Sequence, residues 1–201
     1  MRTPSRKTRR IITLVATPAA IVIAGALIWQ ASYSSFSGTT RNPGNNWSTG
    51  TVALTDDDTG SARFQVADMV PGQTDTKCIT VTATATVPGI VKGYTVNPVT
   101  SPQGLEDYVL ITIDHGTGGS FSSCTGFVSE GTTVPETSLT DLAAISNYEN
   151  GSGSWAVVAG TQSRSYQITW RFDTTGLTQA QLDNLQGSQT GIDIQWELRS
   201  D

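Results

Sequence analysis

Apolar and polar residues alternate with a period of two along most of the body of this chain, the pattern of strands that bury one face. In the run from Cys78 to Val87, Ile79, Val81, Ala83, Ala85 and Val87 share one face, while Thr80, Thr82, Thr84 and Thr86 share the other. Cys78 falls on the threonine side, so a bridge from it is expected on the outside of a sheet. Tyr166, Ile168, Trp170 and Phe172 alternate with Ser165, Gln167, Thr169 and Arg171, and Ile192, Ile194, Trp196 and Leu198 alternate with Asp193, Gln195 and Glu197. Shorter runs predict strands at 51–55, 61–67, 91–96, 107–113, 127–129 and 154–158. Turn chemistry separates them at Asp57-Asp58-Thr59-Gly60, Pro71-Gly72, Pro88-Gly89, Asn97-Pro98, Gly116 to Gly119 and Asn150 to Gly153. Eight or nine short strands in this arrangement predict an all-β β-sandwich or jelly roll, a single domain over residues 51–201. Ser138 to Asp141 and Thr178 to Gln181 read as capping boxes that open two short helices over a sheet edge.

The N-terminus breaks the alternation. Arg2, Arg6, Lys7, Arg9 and Arg10 precede the apolar run from Ile11 to Trp29, with no acidic residue among them. A positive head followed by an apolar segment is the order of an export signal, here residues 1–31. At 19 residues the run also approaches the roughly 20 that span a bilayer, so retention as an N-terminal membrane anchor is the alternative to cleavage. Ala31 and Ser32 form the cleavage region. Thr8-Arg9-Arg10 leaves the twin-arginine route open beside the general one. Residues 32–50 are polar and weakly patterned, and read as a flexible tether. The body is therefore expected outside the cytoplasm or at the cell surface, with the membrane engaged only through the N-terminal segment.

Charge and cysteines narrow the chemistry. Without residues 1–31 the chain keeps seven basic against 17 acidic groups, a net charge of −10, which argues against nucleic acid as a partner. Cys78 and Cys124 are the only cysteines, and an oxidising compartment makes their disulfide the default expectation. In the loop-entropy model that closure stabilises the fold by about 4 kcal/mol. His115 is the only histidine, which excludes a two-histidine zinc motif on one helix, and it reads as a solvent-facing turn residue. No nucleophile elbow is present. Glu106 with Asp107, and Asp193 with Glu197, read as surface charge rather than a glycosidase pair. The chain is thus expected not to be an enzyme. Asp56 and Asp58, in a run of three aspartates before Gly60, are the candidate calcium ligands, and no other cofactor is implied. Asn46-Trp-Ser48 and Asn150-Gly-Ser152 match glycosylation acceptors.

In order along the chain stand the basic head and apolar segment, Tyr33-Ser-Ser-Phe36, Asn46-Trp-Ser-Thr-Gly50-Thr-Val-Ala-Leu54, and Met69-Val-Pro71-Gly72-Gln-Thr. Together they resemble the TasA and camelysin (CalY) family of exported proteins. Cys78-Ile-Thr-Val81, Leu105 to Ile113, Phe121 to Phe127, Trp155 and Tyr166 to Phe172 resemble its actinobacterial branch, which carries two cysteines. The resemblance implies a jelly roll, a signal cut by a dedicated signal peptidase, and self-association into extracellular fibres of a biofilm matrix through a donated N-terminal strand. Tyr33, Phe36 and Trp47 are the candidate donor-strand anchors, although Pro43 weakens that segment as a strand. Camelysin-type members have also been classed as metallopeptidases, but the chain offers no zinc-ligand set. An adhesion or carbohydrate-binding module is the other alternative.

Overall fold

The computed structural model describes residues 50–58, 64, 66 and 68–200. Eight strands form: β1 (Val52–Asp56), β2 (Thr74–Ala85), β3 (Gly89–Val99), β4 (Val109–Thr117), β5 (Val128–Ser138), β6 (Ser152–Val157), β7 (Gly160–Phe172) and β8 (Gly191–Ser200). All ladders between them are antiparallel. They build a five-stranded sheet in the order β1-β2-β7-β4-β5 and a three-stranded sheet in the order β6-β3-β8. This is the all-β sandwich expected from the alternation.

Apolar alternation decides the inner faces. Ile79, Val81, Tyr166, Ile168, Trp170, Ile111 and Ile113 are each at most 7% exposed and form the main core, while Ala83, Ala85, Val91, Trp155, Val157 and Leu198 form a second cluster. Leu54 and Trp196 pack against both clusters. Trp196 does so in part through Tyr166, whose ring centroid lies 5.2 Å away. On the outer face of the large sheet, hydroxyls pair across β2 and β7: Thr76 with Thr169 at 2.9 Å, Thr80 with Ser165 at 3.1 Å, Thr82 with Ser163 at 2.8 Å and Thr84 with Thr161 at 3.1 Å.

Both predicted sites cap a helix, but only the second closes as a full capping box. Ser138 caps α1 (Leu139–Leu142), accepting from the Asp141 N–H, and Thr178 forms a full capping box with Gln181 at the start of α2 (Gln179–Leu185).

Several boundaries differ from the sequence reading. Asn97-Pro98 is a bulge inside β3 rather than a turn: Asn97 takes φ 52, and the register with β8 shifts between Val96 and Val99. β5 runs eleven residues instead of the three expected, because an edge strand with only Val134 buried carries almost no apolar signal. β4 extends through His115 and Gly116, two positions read as a turn. Gly116 permits this, since a Cβ there would stand 1.9 Å from the Val128 carbonyl oxygen of the paired strand. Asp107 ends a 3-10 turn (Leu105–Asp107) instead of opening β4. The strand expected at 61–67 lies largely outside the described residues.

Candidate functional site

β8 is a ten-residue strand bonded on one side only. Its register with β3 runs from Ser200 opposite Gly89 to Gly191 opposite Val99, and no described strand pairs with its other edge. The strand facing it across the side of the sandwich is β1, the edge of the large sheet. Between β1 and β8 lies a groove of about 380 Å³, floored by Leu54, Val81, Ile194 and Trp196 and rimmed by Asp56 and Asp193. Asp193 accepts from the Asn97 amide at 2.9 Å. Burial, and then the neighbouring Asp58 carboxylate, raise the Asp56 carboxyl above its ordinary value. The rim is acidic, and both main-chain edges that frame the groove are free of strand partners among the described residues.

β1 itself is pinned at both ends. At its start, the Thr51 N–H donates to the Thr86 hydroxyl at 2.7 Å, and the Thr86 N–H donates to the Thr51 carbonyl at 2.9 Å. At its end, the ladder stops at Asp56 opposite Val81, and the Asp57 carboxylate takes over. Its Oδ1 accepts from the Thr80 N–H at 2.8 Å and its Oδ2 from the Phe121 N–H at 2.7 Å. One carboxylate thus ties β1 to β2 and to the 118–127 loop. Charge-assisted bonds of this kind are among the stronger hydrogen bonds in proteins.

That loop is held by the disulfide. Cys78 and Cys124 are bonded, with Cα atoms 5.2 Å apart, as expected from the sequence. The bridge lies on the outer face of the large sheet, the side to which the threonines point. The loop folds over it, so Cys78 is 0% exposed. Gly118 and Gly119 adopt φ 74 and 71, and the Thr80 hydroxyl donates to the Gly119 carbonyl at 3.3 Å. Gly118 is confined further, since a Cβ there would meet the Gly126 carbonyl oxygen at 2.1 Å.

The remaining candidates resolve as follows. Of the three aspartates, Asp56 and Asp58 were the expected calcium ligands, yet the middle one carries the long-range contacts. Asp56 Oδ1 accepts from the Asp58 N–H at 3.4 Å. Among the described residues no three His, Cys, Asp or Glu side chains gather as a metal-ligand set. His115 is not a solvent-facing turn residue: it is half-buried in β4 and its Nδ1 lies 3.0 Å from the Thr133 hydroxyl, because the strand continues past the expected turn. Glu106 accepts from the Ser101 N–H and hydroxyl, which holds its carboxyl below the usual range and anchors the 3-10 turn. Asp107 accepts from the Thr140 hydroxyl, and Glu197 accepts from Tyr94 and Arg199. Asn150 donates to the Ala144 carbonyl and accepts from the Asn147 N–H, so its amide is already engaged in a turn. The cleavage region Ala31 and Ser32, the anchors Tyr33, Phe36 and Trp47, and the acceptor at Asn46 lie outside the described residues. Among the described residues no helix is long and apolar enough to cross a membrane.

Sequence reasoning missed Asp57 and the β8 edge. The first is a contact across 64 positions in sequence, and only its place beside a strand end hinted at it. The second depends on which strands pair, which alternation does not state. Neither protein-family models nor curated proteins yield a match to this chain.

Proposed function

We propose that this chain is an exported structural subunit that joins copies of itself into fibres at the cell surface, each copy seating an N-terminal strand against β8 of the next. One observation carries the reading: the edge of ten-residue β8 that faces away from β3 has no strand partner among the described residues. The pairing β2-β7-β4-β5 makes one four-stranded jelly-roll sheet, against which β8-β3-β6 stands one strand short. The first strand, which could fill that place beside β8, lies instead on the edge of β2. An added strand would satisfy the free N–H and C=O groups of β8 and cover Leu54 and Trp196, the mode known as β-augmentation.

The donor is the segment 32–50, which directly precedes β1 and carries Tyr33, Phe36 and Trp47. This is consistent with the resemblance to the TasA and camelysin family. Under this reading a signal peptidase acts before assembly, because a segment held in the bilayer is not free to enter a second subunit. Electron microscopy and sedimentation of the secreted protein test the proposal. The intact form is expected as fibres, and the form lacking residues 33–46 as a monomer. Fibres that survive the deletion, or an intact form that stays monomeric at all concentrations, overturn it.

A further inference from the structure

We infer that the Cys78–Cys124 disulfide is a lock on β1, acting through Asp57. β1 is five residues long and among the described strands hydrogen-bonds only to β2, with Val52 and Leu54 packing inward, so its docking depends strongly on how its ends are held. The end near Asp56 is held by a single carboxylate whose two oxygens reach different parts of the molecule. One takes the Thr80 N–H of β2 and the other the Phe121 N–H of the loop that Cys124 closes. Phe121 is three residues from Cys124, and Thr80 is two residues from Cys78. The bridge therefore fixes the spacing of the two N–H donors that Asp57 spans. With the bridge closed, the carboxylate meets a preformed pair of donors; with it open, the loop must be ordered anew each time Asp57 binds.

The lock closes by thiol–disulfide exchange. The Cys78 and Cys124 thiols give up two protons and two electrons, through a mixed disulfide, to a disulfide oxidant that leaves as a dithiol. A dithiol reductant reverses the balance. Cys78 is fully buried beneath the loop while Cys124 is half-buried, so an incoming thiolate has its approach at the Cys124 sulfur. The lock stands on the described contacts alone. Its bearing on assembly rests on the strand-donation reading: β1 is the root of the donor segment, so locking it fixes the point from which that segment leaves its own subunit.

Amide hydrogen exchange followed by mass spectrometry tests this on the secreted chain, oxidised, reduced with a dithiol, and as Asp57→Ala in each state. Reduction is expected to speed exchange in 52–56 by about tenfold, the effect of losing roughly one charge-assisted hydrogen bond. Asp57→Ala in the oxidised protein should match that gain, and reducing the variant should then add less than about twofold, because the two changes remove one coupled device. Faster exchange confined to 118–127 with 52–56 unchanged overturns the lock, and so do effects that simply multiply. Should reduction also speed exchange across β7, the fold has opened as a whole and the oxidised Asp57→Ala protein decides. Selective loosening of 52–56 and 118–127 then supports the lock, and its absence overturns it. None of these readouts needs fibres. A lock without fibres sinks only the strand-donation reading, and fibres without a lock sink only this one.

Discussion

The edges of the two sheets are treated differently. In the large sheet both outer strands are guarded. β1 is five residues long, clamped by Thr86 at one end and Asp57 at the other, and β5 carries Pro135, Glu130 and Glu136 and three register shifts against β4. Short length, proline, charge and irregular register are the devices by which edge strands avoid unwanted pairing. In the small sheet β6 is short, at six residues, but β8 runs ten residues without a proline. Its inner positions Ile194 and Trp196 are only half covered. β8 does carry Asp193, Glu197 and Arg199, but among the described residues it is the long sheet edge with neither a clamp nor a proline, and the proposed strand donation rests on that contrast.

Five measurements press on that contrast. Cys124→Ser removes the closure that fixes the guarded end of β1 and should cost about 4 kcal/mol in a urea melt. A loss under about 1 kcal/mol would show that the loop contributes little to the guard. Trp196→Ala strips β8 of its contact with Tyr166 and with both core clusters and should cost about 3 kcal/mol. A near-neutral result would mean that β8 is not held to the large sheet by this side chain.

The third measurement is titration to alkaline pH. Burial raises the Tyr166 hydroxyl above its ordinary value of 10.0, so the unfolded chain loses this proton before the folded one does. The contribution is complete below pH 10 and is lost as pH rises above it, through the higher folded value. Tyr166→Phe should flatten that limb, and an unchanged limb would assign it elsewhere. Because the hydroxyl makes no well-formed hydrogen bond among the described residues, with only the indoles of Trp155 and Trp196 near it, the same change should cost little stability at neutral pH.

Asp193→Lys puts a cation on the rim of the open groove and at the edge of β8, copying the guard used elsewhere. Monomer stability should move by no more than about 0.5 kcal/mol, since Asp193 is exposed, while fibre formation should fail. Assembly that proceeds unchanged would argue that β8 is not the acceptor. The smallest effect is expected from Asp56→Asn. The raised carboxyl of Asp56 disfavours its charged form in the fold, so the amide should stabilise slightly at neutral pH, and the gain should vanish below its ordinary value of 3.8, where both states are protonated. A gain that persists in acid would point to a cause other than charge.

What could be read from the residues follows from how each element is stabilised. β2 and β7 bury one face and β8 half-covers one, so Ile79 to Ala85, Tyr166 to Phe172 and Ile192 to Leu198 announce themselves by alternation. The capped helices were legible because Ser138 and Thr178 act within three residues of themselves. β5 was not, because it is held by main-chain pairing with β4 and buries only Val134, while most of its side chains face water. Asn97-Pro98 carries the chemistry of a turn, yet the ladder on both sides of it turns the same preference into a bulge. His115 looked like a turn residue because the glycines after it hide the continuation of β4. The disulfide followed from cysteine number and the expectation of export, whereas the use of Asp57 depended on a loop whose path only the folded chain defines.

The paired hydroxyls on the outer face of the large sheet bear on the shape of any polymer. Thr76, Thr80, Thr82 and Thr84 hydrogen-bond to Thr169, Ser165, Ser163 and Thr161, and Arg171 on the same face is ion-paired to Glu136 and Asp173, so the β2-β7 part of this face offers a neighbour neither an apolar patch nor an uncompensated charge. A subunit that bonds at its β8 edge and is inert on this broad side adds to a chain end but gives little reason for chains to stick flank to flank. Under the strand-donation proposal, growth would then be confined to one dimension, giving thin separate threads rather than bundles or plates.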